Sequence, residues 1–465
     1  MNPKTNAKKH DLKSVAKRKL GIDLDKDHQT SDWSSKPLTD EMIEYAAQDS
    51  QVLTRLHDSL HRDVLNKNLS DTIELEHRTL PAMVWMSTAG VPFDSQGWSL
   101  ALKSLEQDVK TATSELDTLH RELTGEPGTK RVNWNSSVQV KCAFKGLGIT
   151  LKDTKEATLK QLAHPLAAKL LAYRKFSKLL NTYGQKLVDG SHEGRLYPSW
   201  KQIGTATGRM SCSSPNLQNF PPQVRKYVTA PGGRLLVKAD YSQIELRIAA
   251  TISKDKKMLD AFQNGVDIHQ MTAKGLTGQT TVDEAARKLA KAVNFGLLYG
   301  QGARGLMEYA KSAYDIEMTP TDAESHRRTF FKTYPGIAKW HYAVKAAFQL
   351  GDRKAATLTG RTRSSMKSFN ELLNHPVQGT GADGLKAAMS LLWERRSECP
   401  GAVPVLVVHD EIVVECDEED KKTATAWLTK AMTEGMEQIL HLGGDAVGVP
   451  IRVDVETGRS WGGGS

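Results

Sequence analysis

The stretch Val405-Leu406-Val407-Val408-His409-Asp410-Glu411-Ile412-Val413-Val414 sets two β-branched runs on either side of three polar residues. Such runs suit a pleated, half-buried surface, and so short a break between them predicts a tight antiparallel hairpin with acids at its tip. A second strand signal, Leu235-Leu236-Val237, runs through Lys238 and Ala239 to Asp240. Behind it comes Tyr241-Ser242-Gln243-Ile244-Glu245-Leu246-Arg247, whose Ile244, Leu246, Ile248 and Ala249 can pack a helix. Asp240 is therefore expected on a strand-to-helix corner. The two segments are separated by a mainly helical block, roughly 255–350, so strands of one sheet lie far apart in sequence around an inserted helical unit.

Working outward, 465 residues exceed one ordinary domain and allow two to four structural units. Polar sequence to about residue 75 contains a helical pattern from Thr39 to His61, with Thr39 or Asp40 as its cap. Leu100–Leu123 and Thr158–Leu187 read as long amphipathic helices joined through the Gly125–Ser137 loop. Lys and Arg outnumber Asp and Glu by 63 to 54, a net charge of +9 that favours a polyanionic partner. Cys142, Cys212, Cys399 and Cys416 lie far apart, which argues against a zinc site or a disulfide framework and fits a reducing, cytoplasmic setting. No apolar run approaches the ~18 residues of a membrane span, and no secretory signal opens the chain.

Acids at a hairpin tip are often merely solvated. The alternative is that Asp240 and Asp410 meet at neighbouring strand ends and hold two divalent ions about 3.5–4 Å apart, as phosphoryl transfer requires. A second feature bears on the choice. Arg287, Lys291, Phe295 and Tyr299 stand four apart and, at ~100° per residue, share one helix face. Two cations followed by two aromatics match a nucleoside triphosphate lying across the helix, although a solvated end running into a core gives the same pattern. Gly300-Gln301-Gly302-Ala303-Arg304-Gly305 follows a helix rather than a strand, so it is not read as a dinucleotide fingerprint, and no P-loop is present.

Taken together, Asp240–Arg247, Arg287–Gly300 and Val408–Glu411 resemble, in order and separation, the three polymerase motifs of family A DNA polymerases. Thr205–Pro221, containing Arg209, and Asn374–Asp383, containing Gln378, resemble two further family segments, and the resemblance runs from about residue 80 to 460. It implies an α+β right-hand fold, with an antiparallel palm sheet and helical fingers and thumb, plus a small N-terminal exonuclease remnant. The implied boundaries are 1–75 for the remnant, 76–200 for the approach to the palm and a helical thumb, 201–254 for the first part of the palm, 255–350 for fingers and 351–465 for the second part of the palm. The implied activity is template-directed addition of deoxynucleotides to a primer 3′ end, in replication or repair, by a monomer using two Mg²⁺ ions, with Mn²⁺ as a substitute.

The same resemblance assigns roles. Asp240, Asp410 and the Tyr241 backbone carbonyl are metal ligands, Glu411 an auxiliary carboxylate, and Lys291 a catalytic cation. Arg287, Lys291, Phe295, Tyr299, Gln243 and Glu245 surround the dNTP, Glu245 crowding a ribose 2′-hydroxyl. Phe295, where a Tyr is the alternative, implies discrimination against dideoxynucleotides. Arg209, Asn216, Gln218, Gln378 and His409 contact DNA, where minor-groove acceptors common to all pairs allow geometry to be checked. Asn370 departs from the family, many members of which carry Arg there, and the Arg363–Asn374 spacer is short.

Residues 10–60 resemble the end of a family A proofreading domain, with Tyr45-Ala46-Ala47-Gln48-Asp49 similar to its final Tyr-x-x-x-Asp motif. The earlier acids that such a nuclease needs are not in this chain, so no 3′→5′ exonuclease activity is expected. Two rivals remain at this point: a two-metal nuclease, which leaves the Arg287–Tyr299 stripe unexplained, and a non-catalytic DNA-binding descendant, which would be expected to lose the motif acids.

Overall fold

A computed structural model describes residues 10–34, 36–125, 131–444 and 448–463. Its centre is a four-stranded antiparallel sheet of β1 (Arg234–Tyr241), β2 (Val403–Val408), β3 (Glu411–Asp417) and β4 (Val453–Gly458), in spatial order β4-β1-β3-β2. Alternation along the strands feeds two cores. Leu235, Val237, Ala239, Ile412 and Val414 join one apolar cluster, while Leu236, Leu406, Val408 and Val413 join another. The β2–β3 loop is shorter than expected: only His409 and Asp410 form the turn, and Glu411 is already strand, directly opposite Asp240. β4 was not foreseen, because Val453 and Val455 alternate with acids over too short a span to stand out.

Between β1 and β2 the chain runs through the expected helical block, including Ile268–Thr277, Glu284–Leu298, Ala303–Tyr314, Pro320–Thr333 and Pro335–Gln349. It returns through Phe369–Glu394, whose residues from Leu372 to Leu392 are nearly all buried, packed against Lys421–His441. The two helices touch backbone to backbone: a Cβ on Gly435 would lie 2.5 Å from the Ala388 amide nitrogen.

A buried ionic knot ties the helix Ser70–Ala89 to this assembly. Arg361 bridges Glu76 at 2.6 Å and Asp383 at 2.7 Å, and Lys386 also pairs with Glu76. Burial alone would raise the Glu76 pKa, but Lys386 and Arg361 outweigh it and hold the carboxyl below its usual range.

The long helix Ser95–Thr124 packs against Pro165–Tyr183 over Leu116, Trp134, Phe144, Leu166 and Leu170. The single helix expected over 158–187 is three pieces: Glu156–Lys160, Pro165–Tyr183 and Gln185–Asp189. Pro165 explains one break, since proline suits only a first turn, and the His164 ring accepts the Leu166 amide as cap. Part of the Gly125–Ser137 loop, residues 126–130, lies outside the described residues. At the N-terminus, Leu12–Leu20 packs on Asp40–Asn66, which Thr39 caps as expected by accepting the Met42 amide. No helix of the described residues is long and apolar enough to cross a membrane.

Candidate active site

β1 carries Asp240 to the mouth of a cleft of about 360 Å³. Its strand partners are Glu411 on one side and Asp454 on the other, and the Tyr241 amide donates to the Asp410 carbonyl at 3.3 Å. Strand register thus sets Glu411 and Asp454, from distant chain segments, on either side of Asp240, with Asp410 in the turn just before Glu411. Tyr241 is anchored inward, its hydroxyl donating to the Met432 carbonyl at 2.7 Å. Asp240 is open to the cleft, yet desolvation by surrounding protein, then Asp410 and Glu411, push its pKa up to about 6. Glu411 is also raised, by burial, although the Trp461 indole donates to it at 2.7 Å.

Both turns that present these acids use left-handed backbone. Gln243 has φ +56° at the corner into the helix Ile244–Ser253, and His409 has φ +55° at the hairpin tip. For a residue with a Cβ this conformation costs about 1–2 kcal/mol, so surrounding packing must hold it.

Across the cleft, the helix Glu284–Leu298 begins at Asp283, whose side chain accepts the Ala286 amide at 2.7 Å. Arg287, Lys291 and Phe295 are each half-buried on this helix, and the residues flanking Lys291 and Phe295 are fully buried. Tyr299 falls one residue past the helix end, as its C-cap. The Asn370 amide donates to the Tyr299 carbonyl at 2.5 Å, which gives the departing residue a structural role. The Tyr299 hydroxyl is buried without a partner of good geometry; desolvation and the nearby Glu245 carboxylate raise its pKa. Glu245 is itself raised, by burial first. Arg209 spans Glu245 at 3.2 Å and Asp410 at 3.4 Å.

Lining the cleft together are Arg209, Asp240, Gln243, Glu245, Phe295 and Asp410, with Tyr241 and His409. Gln378 lies half-buried on the Phe369–Glu394 helix, one turn beyond Asn374. Asn216 and Gln218 are engaged internally: Gln218 donates to the Met210 and Val407 carbonyls, bracing the Arg209 loop on β2, and the Asn216 side-chain carbonyl lies 3.8 Å from the Cys212 thiol.

Three residues were missed by sequence reasoning. Asp454 needed β4 to be placed. Asp267 caps its helix through the His269 amide and holds Arg287 at 2.9 Å. His269 touches the Asn294 amide at 2.9 Å, and its ring centroid is 5.8 Å from that of Phe295. Burial, helped by Arg287 and Lys291, lowers its pKa to about 4. Asp267 before a helix was a legible cap; its meeting with a helix twenty residues on was not.

The donor set suits a hard divalent ion. Among the described residues no three His, Cys, Asp or Glu side chains form a closed metal cage. Two carboxylates, Asp240 without a cationic partner among these residues and Asp410 touched by Arg209, would leave positions for waters and phosphate oxygens, the way Mg²⁺ is usually held.

An acid-tipped antiparallel sheet interrupted by a helical insert and approached by a helical arm is the α+β right-hand fold of nucleotide polymerases. Residues 101–463 match DNA polymerase family A, and residues 2–65 match a 3′-5′ exonuclease family. The chain is 35% identical to DNA polymerase I of Aquifex aeolicus, over 97% of this chain and 81% of that protein. It is 34% identical to the thermostable DNA polymerase I of Thermus aquaticus, over 83% of this chain and 48% of that protein, so it spans about half the length of such relatives. A solved structure, the POL domain of Pol1 from M. smegmatis in complex with DNA primer-template and dNTP, superposes with a TM-score of 0.79 at 24% identity, covering 98% of this chain and 79% of that one. The chain belongs to DNA polymerase family A, a family of DNA-directed DNA polymerases.

Proposed function

We propose that this chain extends a primer 3′ end with deoxynucleotides on a DNA template, by two-metal phosphoryl transfer, in bacterial-type replication or repair. The observation that carries the reading is one cleft lined by Asp240 and Asp410, with Glu411 paired to Asp240 at the same end of the sheet, and by Phe295 of the helix that also carries Lys291. Asp240, Asp410 and the Tyr241 carbonyl would hold two Mg²⁺ ions, or Mn²⁺, which when bound favour an ionised primer hydroxyl and neutralise charge on the triphosphate.

The protein's own groups do the rest. Arg287, oriented by Asp267, and Lys291 grip phosphates, and the Lys291 ammonium balances charge on the departing pyrophosphate. Phe295 and Tyr299 take the sugar and base, with Gln243 beside them at the cleft floor. Glu245, held by Arg209, closes the space for a 2′-hydroxyl. Arg209, Gln378, His409 and, more indirectly, Asn216 and Gln218 face the nascent duplex. In this reading 76–200 includes the thumb, 201–254 and 351–465 the palm, and 255–350 the fingers, acting as a cytoplasmic monomer. The segment 1–75 is an inactive proofreading remnant, a view supported by the Lys26 ammonium 3.3 Å from Asp49 and 3.3 Å from the Tyr45 hydroxyl.

The test is extension of a recessed 3′ end with Mg²⁺ and dNTPs, by the wild type and Asp410→Ala, with a dNTP-free lane. Extension and pyrophosphate release by the wild type, with at least a 10³-fold loss in the variant, are expected on the usual scale for removing a charge-stabilising group (about 10²–10³ or more). Intact wild-type folding without extension would sink the reading.

A further inference from the structure

Beside the catalytic cleft lies a second cavity of about 220 Å³, which shares Gln243 with it. Arg247, Arg452, Asp267 and Gln243 supply its polar wall. The charges in that wall do not balance. Arg247 is only 4% exposed, and its guanidinium donates to carbonyls, Ser242 at 2.9 Å and Pro450, while stacking 4.4 Å from the Phe262 ring. No carboxylate pairs with it among the described residues. Arg452 likewise has no acidic partner among them, and its Nη2 lies over Gly265, where an added Cβ would come within 2.7 Å. Gly265, at φ +68°, therefore leaves room for a guanidinium. Asp267, the one acid in this lining, is already committed to Arg287 and to the His269 amide. The Gln243 side-chain amide donates to Asp267 at 3.5 Å, so the donors left for a ligand are those of the two arginines.

Burial and the neighbouring Arg452 push the Arg247 pKa down to about 10, against the pull of Asp454. Cations in such a site are balanced when an anion completes it. Guanidinium forks match phosphate oxygens, and the volume is below the ~300 Å³ at which pockets for drug-sized ligands begin.

We propose that the Arg247–Arg452 cavity is an oxyanion subsite that takes pyrophosphate as it leaves the catalytic cleft. The proposal rests on the polymerase reading for its ligand. When the primer 3′-oxygen bonds to the α-phosphorus, the bond from that phosphorus to the α–β bridging oxygen breaks, and pyrophosphate departs with the electron pair. Gln243 lines both spaces, and Asp267 in the cavity wall holds Arg287, the proposed phosphate grip, so the cavity adjoins the phosphate end of the reading. Arg452 is the accessible half of the subsite and Arg247 the fixed half.

The test uses the full chain with Arg452→Gln and Arg452→Lys, at fixed free Mg²⁺. Arg452→Gln should weaken inhibition of extension by added pyrophosphate about tenfold, the value of one charge-assisted contact. It should also raise the pyrophosphate KM of the reverse reaction similarly and leave the dNTP KM within about twofold, with Arg452→Lys recovering much of the loss. Unchanged pyrophosphate inhibition in Arg452→Gln overturns the subsite. An equal rise in the dNTP KM overturns it too, because the cavity would then serve the γ-phosphate of the incoming nucleotide. Calorimetric titration of DNA-free protein with inorganic pyrophosphate decides independently of turnover. Binding by wild type that Arg452→Gln loses supports the subsite even if extension fails and the polymerase reading falls; equal binding by both refutes it.

Discussion

Asp240 ionises with difficulty because desolvation and two neighbouring acids oppose its charge, and that difficulty has a consequence in pH. Its pKa of about 6 means that the folded protein holds the proton more tightly than an ordinary carboxyl does, so the ionised ligand is present above pH 6 and lost below it. Primer extension at limiting Mg²⁺ should therefore fall as pH drops through about 6, and raising Mg²⁺ should move the limb to lower pH. A limb that does not respond to Mg²⁺ would show that another group sets it. Glu245 offers a second single-residue prediction. Glu245→Ala opens the space beside Phe295 and releases Arg209, so the preference for dNTP over rNTP, measured as a ratio of kcat/KM, should drop about 10- to 100-fold. Asp240 stood out in the sequence as an acid at a strand-to-helix corner, whereas Glu245 was singled out only through the family resemblance. Asp267, His269 and Asp454 were not legible, because their meaning comes from partners brought in by the fold.

The elements that hold the site depend on close helix packing and on neutral histidines. Gly435 lies against the Ala388 backbone, so Gly435→Val must force apart Phe369–Glu394 and Lys421–His441; overpacking of this kind costs about 1–3 kcal/mol. Thermal unfolding should show a lower Tm, with activity at low temperature retained. His341 is buried, and its ring contacts the Leu298 carbonyl at 3.0 Å at the end of the nucleotide helix. Burial lowers its pKa to about 4 from the usual 6.5. The sign follows: stability from keeping this ring neutral is complete above pH 6.5 and lost as pH falls toward 4, up to about 3 kcal/mol. His341→Gln should flatten that acid limb in denaturant titrations, whereas an unchanged limb would assign it to His269 or other groups. Helix existence was readable from apolar spacing, but the breaks at Pro165 and Gly184 were overrun because the apolar pattern continues through them.

At the scale of the whole molecule, a net charge of +9 predicts DNA binding that draws on phosphate contacts. Affinity for primer-template should fall steeply between low and high salt, linearly on a log–log plot with a slope near −0.9 per phosphate neutralised. An affinity independent of salt would contradict this prediction. The dNTP-free lane of the extension assay tests the N-terminal segment as well: no shortening of the primer is expected, and Lys26→Ala should restore none.

The sequence by itself determined the family, the strands that carry Asp240 and Asp410 with a helical block between them, and the helix spacing of Arg287, Lys291 and Phe295. Each depends on residue types within a few positions of one another, where backbone propensity and side-chain period act directly. Tertiary structure alone decided that Glu411 and Asp454 flank Asp240, that Asp267 restrains Arg287, and that Arg247 and Arg452 share a cavity. Those relations are set by strand register and helix packing between segments that lie far apart in the chain, which no local pattern encodes.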